Sequence, residues 1–380
     1  MGVSGGSGGI AEVAPPVRLK PQAAVQQAML YSVLDDELLL GSLHWDELED
    51  LHLLPVEPRR DLRKHGLPNL DAMNSTLFYR SFRFEKSDLD DLLTGLLIPE
   101  EVESAQRVRA PCREALCMTL QRLAYPNRLC YLEVFFSRHS SVISSVVSKV
   151  LYHIQYYFGR LLANLTEHRW LNLQNLELFS QAIHRKGAPL KNCWGFVDGT
   201  ARRICRPSVG QQDHFSGHKR HHVQKYQADM CPNSLIYQMD GPFHGRRHDA
   251  GILKKTALYR NLEKVAQGHE YVIYGDPAYP LRPLFPKPFG GASFQPYEAH
   301  FNKRMSTVRQ AVELGFGKVA ADFAFVDFHK NQKMTQQWVG RMYKVATLLS
   351  NCRTCMYGSQ VSTYFGIAPP SFREYLVPSE

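Results

Sequence analysis

Cys193-Trp194-Gly195-Phe196-Val197-Asp198-Gly199-Thr200 is a short apolar run that ends on an acid and is bounded by glycine. It reads as a buried strand of a parallel sheet. Tyr271-Val272-Ile273-Tyr274-Gly275-Asp276 is built the same way, and a third acid, Glu313, interrupts the helically spaced Val308-Arg309-Gln310-Ala311-Val312-Glu313. Two acids at strand ends and one on a helix suggest a metal site.

Reading outward from Asp198, residues 197–204 are rich in β formers, 222–228 alternate, and 235–239 form a third run after the Pro232-Asn233 turn. Residues 250–265 have helical spacing, 271–275 are the next strand, and 302–319 are the helix of Glu313, with Met305, Val308, Val312, Phe316 and Val319 as its buried face. This α/β order matches the RNase H-like one in outline. Upstream, residues 77–97 read as a strand or turn and then a short helix capped near Ser87, and 170–183 as a helix closed by Lys186-Gly187.

Between them, 111–162 hold a helix ending at Pro126, a short helix over 129–136, and a long one after Ser137-Arg138-His139-Ser140. The long helix carries Ile143, Val146, Val147, Val150, Ile154, Tyr157 and Phe158 on one face. Two readings stand: a helix-turn-helix offering Arg138, Ser140, Ser141 and Ser144 to a groove or to phosphates, or a plain bundle bracing the next domain. The expected architecture is an α/β RNase H-like catalytic domain at 189–349, preceded by an all-helical, helix-turn-helix-like domain at 101–188. An acidic, amphipathic helical arm is expected at 25–100, a Gly/Ser/Pro-rich disordered tail at 1–24, and a C-terminal tail packed on the domain at 350–380.

The chain has 380 residues and a formal charge of +9, which points toward an anionic partner such as nucleic acid or an acidic membrane surface. No basic residue precedes Arg18 and no apolar run approaches a membrane span, so the expectation is a soluble intracellular protein without a secretory leader. The basic cluster Arg59-Arg60-Asp61-Leu62-Arg63-Lys64 could serve nuclear import. Eight cysteines lack framework spacing, and the pair Cys352 and Cys355 has no second pair nearby, so packed thiols are expected.

Breaking or transferring a phosphodiester requires charge stabilisation on both the attacking and the leaving oxygen, which two divalent ions about 4 Å apart provide. Mg²⁺ or Mn²⁺ takes oxygen ligands, so Asp198, Asp276 and Glu313 are the candidate catalytic and metal-holding residues. Taken singly, each acid has a plainer role: a turn aspartate for the first two, a pair with Arg309 one turn away for Glu313. Thr200 is a candidate to bond the Asp198 carboxylate. His214, His218, His221 and His222 suggest zinc by count, without matching spacing, and a basic strand and loop facing DNA is the preferred reading.

Asp198-Gly199-Thr200, Gly241-Pro242 with Gly245-Arg246-Arg247-His248-Asp249, Gly275-Asp276-Pro277-Ala278-Tyr279-Pro280, Phe301-Asn302 and Val312-Glu313-Leu314-Gly315-Phe316-Gly317 form an ordered series. It resembles the successive motifs of the PIF/Harbinger transposases and their host-derived relatives among the DDE superfamily endonucleases. The likeness covers roughly residues 78–370, and its Asp and Glu, 37 positions apart, fall on Asp276 and Glu313. The resemblance implies a nuclear, metal-dependent enzyme that cuts and joins DNA ends through Asp198, Asp276 and Glu313. It implies DNA as partner, raises a separate Myb-like DNA-binding protein as a second, and leaves a homo-oligomer open.

Asp249 lies in the family pattern outside the triad and reads as a helix cap or as a support for the acids. Arg202, Arg203, Arg246, Arg247, Lys219, Arg220 and Arg309 are the DNA-binding candidates. Leu314-Gly315 stands where an aromatic often follows the glutamate, and Phe243-His244 where a smaller or acidic pair is usual; the expectation is a looser seat for the helix. The alternative to an active enzyme is a domesticated DNA-binding or scaffold protein that keeps the fold.

Overall fold

The computed structural model describes residues 68–377, apart from 292 and 335. The tail, most of the acidic arm and the 59–64 basic cluster lie outside the described residues. Helix α1 (Ser75–Phe82) starts where Asn74 Oδ1 accepts from Thr76 N, and Phe78, Ser81 and Phe82 fall on one buried face. Residues 77–82 are therefore helix rather than strand. After α2 (Leu89–Gly95), a three-residue hairpin, β1 (Glu101–Glu103) with β2 (Arg109–Pro111), interrupts the region expected to be wholly helical. Ser87 does not cap α2; its hydroxyl bonds Asp88 instead.

Helices α3 (Cys112–Ala124), α4 (Leu129–Phe136) and α5 (Ser140–Phe158) follow the expected boundaries. All five aliphatic positions on the α5 face, and Phe158, are buried, but Tyr157 is 47% exposed. Arg138, expected to offer itself to a groove, is turned inward. Its Nε and Nη2 donate to Glu114 Oε1 and Oε2 at 2.6 and 2.7 Å, tying the start of α5 to α3. Ser140 N is likewise satisfied by Glu133 Oε1.

Helix α6 (Leu173–Arg185) ends at Lys186, and Gly187, at φ +97°, turns the chain into β3 (Cys193–Arg203). The sheet continues with β4 (Phe215–Ser216), β5 (His221–Met230) and β6 (Ile236–His244). Then come α7 (Asp249–Leu253), α8 (Leu258–Ala266) and β7 (Val272–Tyr274). The single helix expected over 250–265 is thus broken in two. β5 pairs antiparallel with β3 and β6, and β7 joins the other edge of β3 in parallel, so only one pair in the sheet is parallel. β3 does not stop at Asp198: it runs on to Arg203, with Asp198 opposite Ala228 and Thr200 opposite Tyr226.

Helix α9 (Pro296–Asp322) has Pro296 at its first position, and Glu298 Oε2 accepts from Gln295 N at 2.9 Å. Its expected face, Met305, Val308, Val312, Phe316 and Val319, is buried against the sheet. A Cβ on Gly315 would run into Met230 Sδ of β5, so this glycine seats α9 close to the sheet rather than loosely. Gly315→Val is expected to cost about 2 kcal/mol by overpacking, read as a lower midpoint in chemical denaturation at unchanged slope.

Helix α10 (Val339–Tyr357) packs beside α9, and one apolar core runs from Leu70 to Leu376 through helices and strands alike. The helices are joined to β6 by buried His168, whose Nε2–H is shared between Leu161 O and Tyr237 O at 2.9 Å each. Burial pushes this imidazole down to about 4, so it stays neutral. All eight cysteines are free thiols. Among the described residues no helix is long and apolar enough to cross a membrane.

Candidate active site

Parallel pairing sets the first two acids in step. Phe196 of β3 pairs with Tyr274 of β7, and Asp198 and Asp276 each stand two residues further along. Alternation along β3 turns residue 198 to the same side of the sheet as its cross-strand partner 228, and with it Met230, which α9 covers. From α9, Arg309 Nη1 donates to Asp198 Oδ2 at 2.8 Å, and Nη2 donates to Glu313 Oε1 one turn away at 3.1 Å. The guanidinium therefore bridges a strand acid and a helix acid.

The carboxylates differ in surroundings. Asp198 has only 16% of its side chain exposed, and burial pushes its carboxyl above the ordinary aspartate range. The charge of Asp276 adds to that push, while Arg309 and the Gly199 N–H, at 2.8 Å from Oδ1, oppose it. Asp276 Oδ1 accepts from Ala278 N at 2.8 Å, the turn-aspartate bond that Pro277 and strand exit favour. Glu313 is 57% exposed. Arg309→Gln is expected to raise the Asp198 carboxyl further, seen as a titration midpoint moved to higher pH in carbon NMR of the side chain.

Asp198 draws none of its hydrogen bonds from Thr200 among the described residues. Asp249 opens α7 with His248 in the cap position, so the backbone makes it the first helical residue rather than the cap. The side chain of Asp249 lies outside the described residues. Arg202 is held inside, 12% exposed, bonded to Asp327 Oδ1 at 2.8 Å and to Phe316 O, so it ties β3 to α9 and to the segment after it. Arg246 pairs with Asp213 at 3.1 Å, and the Arg247 carbonyl accepts from Lys225. Arg203, Lys219 and Arg220 are exposed at the far end of β3 and in the β4–β5 turn.

The donor set of the three acids is entirely carboxylate oxygen, which fits a hard divalent cation such as Mg²⁺ or Mn²⁺ and not a soft one. Among the described residues no three His, Cys, Asp or Glu side chains converge closely enough to hold a metal ion, the histidines of the β4–β5 region included. Asp198 and Asp276 stand on adjacent strands, and Glu313 is linked to Asp198 through Arg309. The bond from Arg309 to Asp198 is a feature that sequence reading missed; spacing revealed only its pairing with Glu313.

No curated protein and no solved structure matches the chain. Residues 197–351, from the residue before Asp198 to within α10, match the family model described as DDE superfamily endonuclease.

Proposed function

We propose that the chain is a metal-dependent DNA endonuclease of transposase type, RNase H-like in its core, with Asp198, Asp276 and Glu313 holding Mg²⁺ or Mn²⁺. The observation that carries the reading is the register that puts Asp198 and Asp276 in step at adjacent parallel strands, with Glu313 on the helix covering that side. A divalent cation in such a site supplies charge stabilisation to the attacking and leaving oxygens of a phosphodiester. The chain's own groups do the rest. The rigid strands orient the two aspartates, and Arg309 balances the negative charge of Asp198 and keeps Glu313 facing it. The nucleophile is water in cutting and a DNA 3′-hydroxyl in joining. The reading carries with it cutting at transposon ends, a nuclear location and a Myb-like DNA-binding partner, the helices α3 to α5 serving DNA or partner contact.

A second reading, a domesticated DNA-binding protein that keeps the fold without the chemistry, draws on Arg309: two of the three acids already share a positive charge. One experiment separates the two. Supercoiled DNA is incubated with the protein, with Mn²⁺ or chelator, alongside Asp276→Asn and Glu313→Gln. Cutting by the wild type in Mn²⁺ alone supports the enzyme; cutting that survives both substitutions, or a wild type that neither cuts nor gains thermal stability from Mn²⁺, sinks it.

A further inference from the structure

At the end of β3 away from the acids, a cavity of about 460 Å³ opens between that strand, the β4–β5 hairpin and residues 329–330. Arg203, Arg206, Arg220 and Lys330 line it, and no carboxylate does. Their neighbours Arg202 and Arg246 have carboxylate partners, Asp327 and Asp213, whereas among the described residues none of these four forms an ion pair. Arg206 Nε donates only to the neutral Gln211 Oε1, at 2.9 Å.

Three imidazoles, His221, His222 and His329, share the same walls. Burial first, and then the positive charges of Arg203, Lys330 and His221, hold His329 below its ordinary range. His222 is lowered by burial and then by Arg206. Like charges gathered in a concave site repel one another and concentrate a positive field, which an anion relieves. At the mouth Phe215, 42% exposed, meets His222 edge to face with ring centroids 5.5 Å apart, leaving its ring available to an apolar or aromatic group. Guanidinium forks match the oxygens of a phosphate bidentately.

β3 links this pocket to the acids. Arg203 is five residues beyond Asp198 on one strand, roughly 16 Å at about 3.3 Å per residue. One strand of duplex DNA advances about 3.4 Å per nucleotide, so some five nucleotides cover that span. We propose that the pocket anchors a backbone phosphate of DNA flanking the bond under attack. The spacing rests on the nuclease reading; the anionic ligand rests on the pocket's own charges.

The test measures binding of a fluorescent 30-base-pair duplex in chelator, where no cutting occurs, between 50 and 200 mM salt. It compares wild type with Arg206→Ala/Lys330→Ala and with the charge-keeping pair Arg206→Lys/Lys330→Arg. The alanine pair is expected to reduce the slope of log affinity against log salt by about 2, and to weaken binding about tenfold at 150 mM salt. The charge-keeping pair should stay near wild type, and both should melt as wild type does. A folded alanine pair with the wild-type slope overturns the proposal, as does a charge-keeping pair that loses as much as the alanine pair. Titration with inorganic phosphate and with dAMP distinguishes the source: submicromolar binding of either, lost in the alanine pair, overturns the assignment to DNA. Absence of Mn²⁺-dependent cutting with the slope difference intact would remove the nuclease reading and leave the phosphate pocket standing.

Discussion

Cutting by the Asp276→Asn protein in Mn²⁺ is expected to fall at least about 1,000-fold below wild type, a loss of about 4 kcal/mol in transition-state stabilisation, while its melting temperature in chelator changes little. Asp276 is the informative acid because its one structural bond, from Ala278 N to Oδ1, is one that an asparagine carbonyl can also accept. The turn survives and only the charge is lost. Asp198→Asn would be harder to read, since it leaves the Arg309 guanidinium, 17% exposed, without its closer carboxylate. Glu313→Gln keeps an oxygen for Arg309 Nη2 and stands between these cases. If the Asp276→Asn protein, shown to be folded, cuts within tenfold of wild type, the strand acids are turn residues and nothing more.

The same contrast explains what could be read from the sequence. Residues 193–198 and 271–276 were each legible as a buried strand of a parallel sheet because a strand covered on both faces is continuously apolar; that the two are neighbours comes from the fold. The β-rich run 197–204 was legible as strand too, and the structure joins it to 193–198 as one strand held by pairing with β5 and by the Asp327 bond to Arg202. The start of residues 77–97 reads as a strand or turn, but the spacing of four between Phe78 and Phe82, both buried, is helical. The three-residue strands β1 and β2 are too short for any period to show. The pairing of Arg309 with Glu313 follows from helix geometry. Its bond to Asp198 joins positions 111 apart, and the convergence of Arg203 with Lys330 is likewise a product of the fold.

Asp229 carries the other large effect. This β5 carboxyl is fully buried, with neither oxygen hydrogen-bonded, and burial, reinforced by the charge of Asp240, pushes it well above the aspartate range. It therefore keeps its proton in the folded chain. Val197 stands across from it on β3 and Gln238 on β6; the Gln238 amide donates to Asp240 Oδ2 at 2.8 Å, and its Oε1 is unpartnered. A protonated carboxyl has an O–H to give, and an asparagine amide has an N–H. The unfolded chain loses this proton near the ordinary value, the folded chain only at higher pH. The stability tied to the proton is thus fully present below the unfolded value and declines as pH rises, by about 1.4 kcal/mol for each pH unit over which the folded chain alone retains it. Asp229→Asn removes that decline without emptying the site. Asp198 and Asp240, also raised, contribute slopes of the same sign that remain in both proteins, so the difference between them isolates residue 229. Denaturant unfolding from pH 4.5 to 8 should show the asparagine protein gaining over wild type as pH rises. Parallel curves would mean that Asp229 is ionised in the fold and matched by a charge that these contacts do not contain.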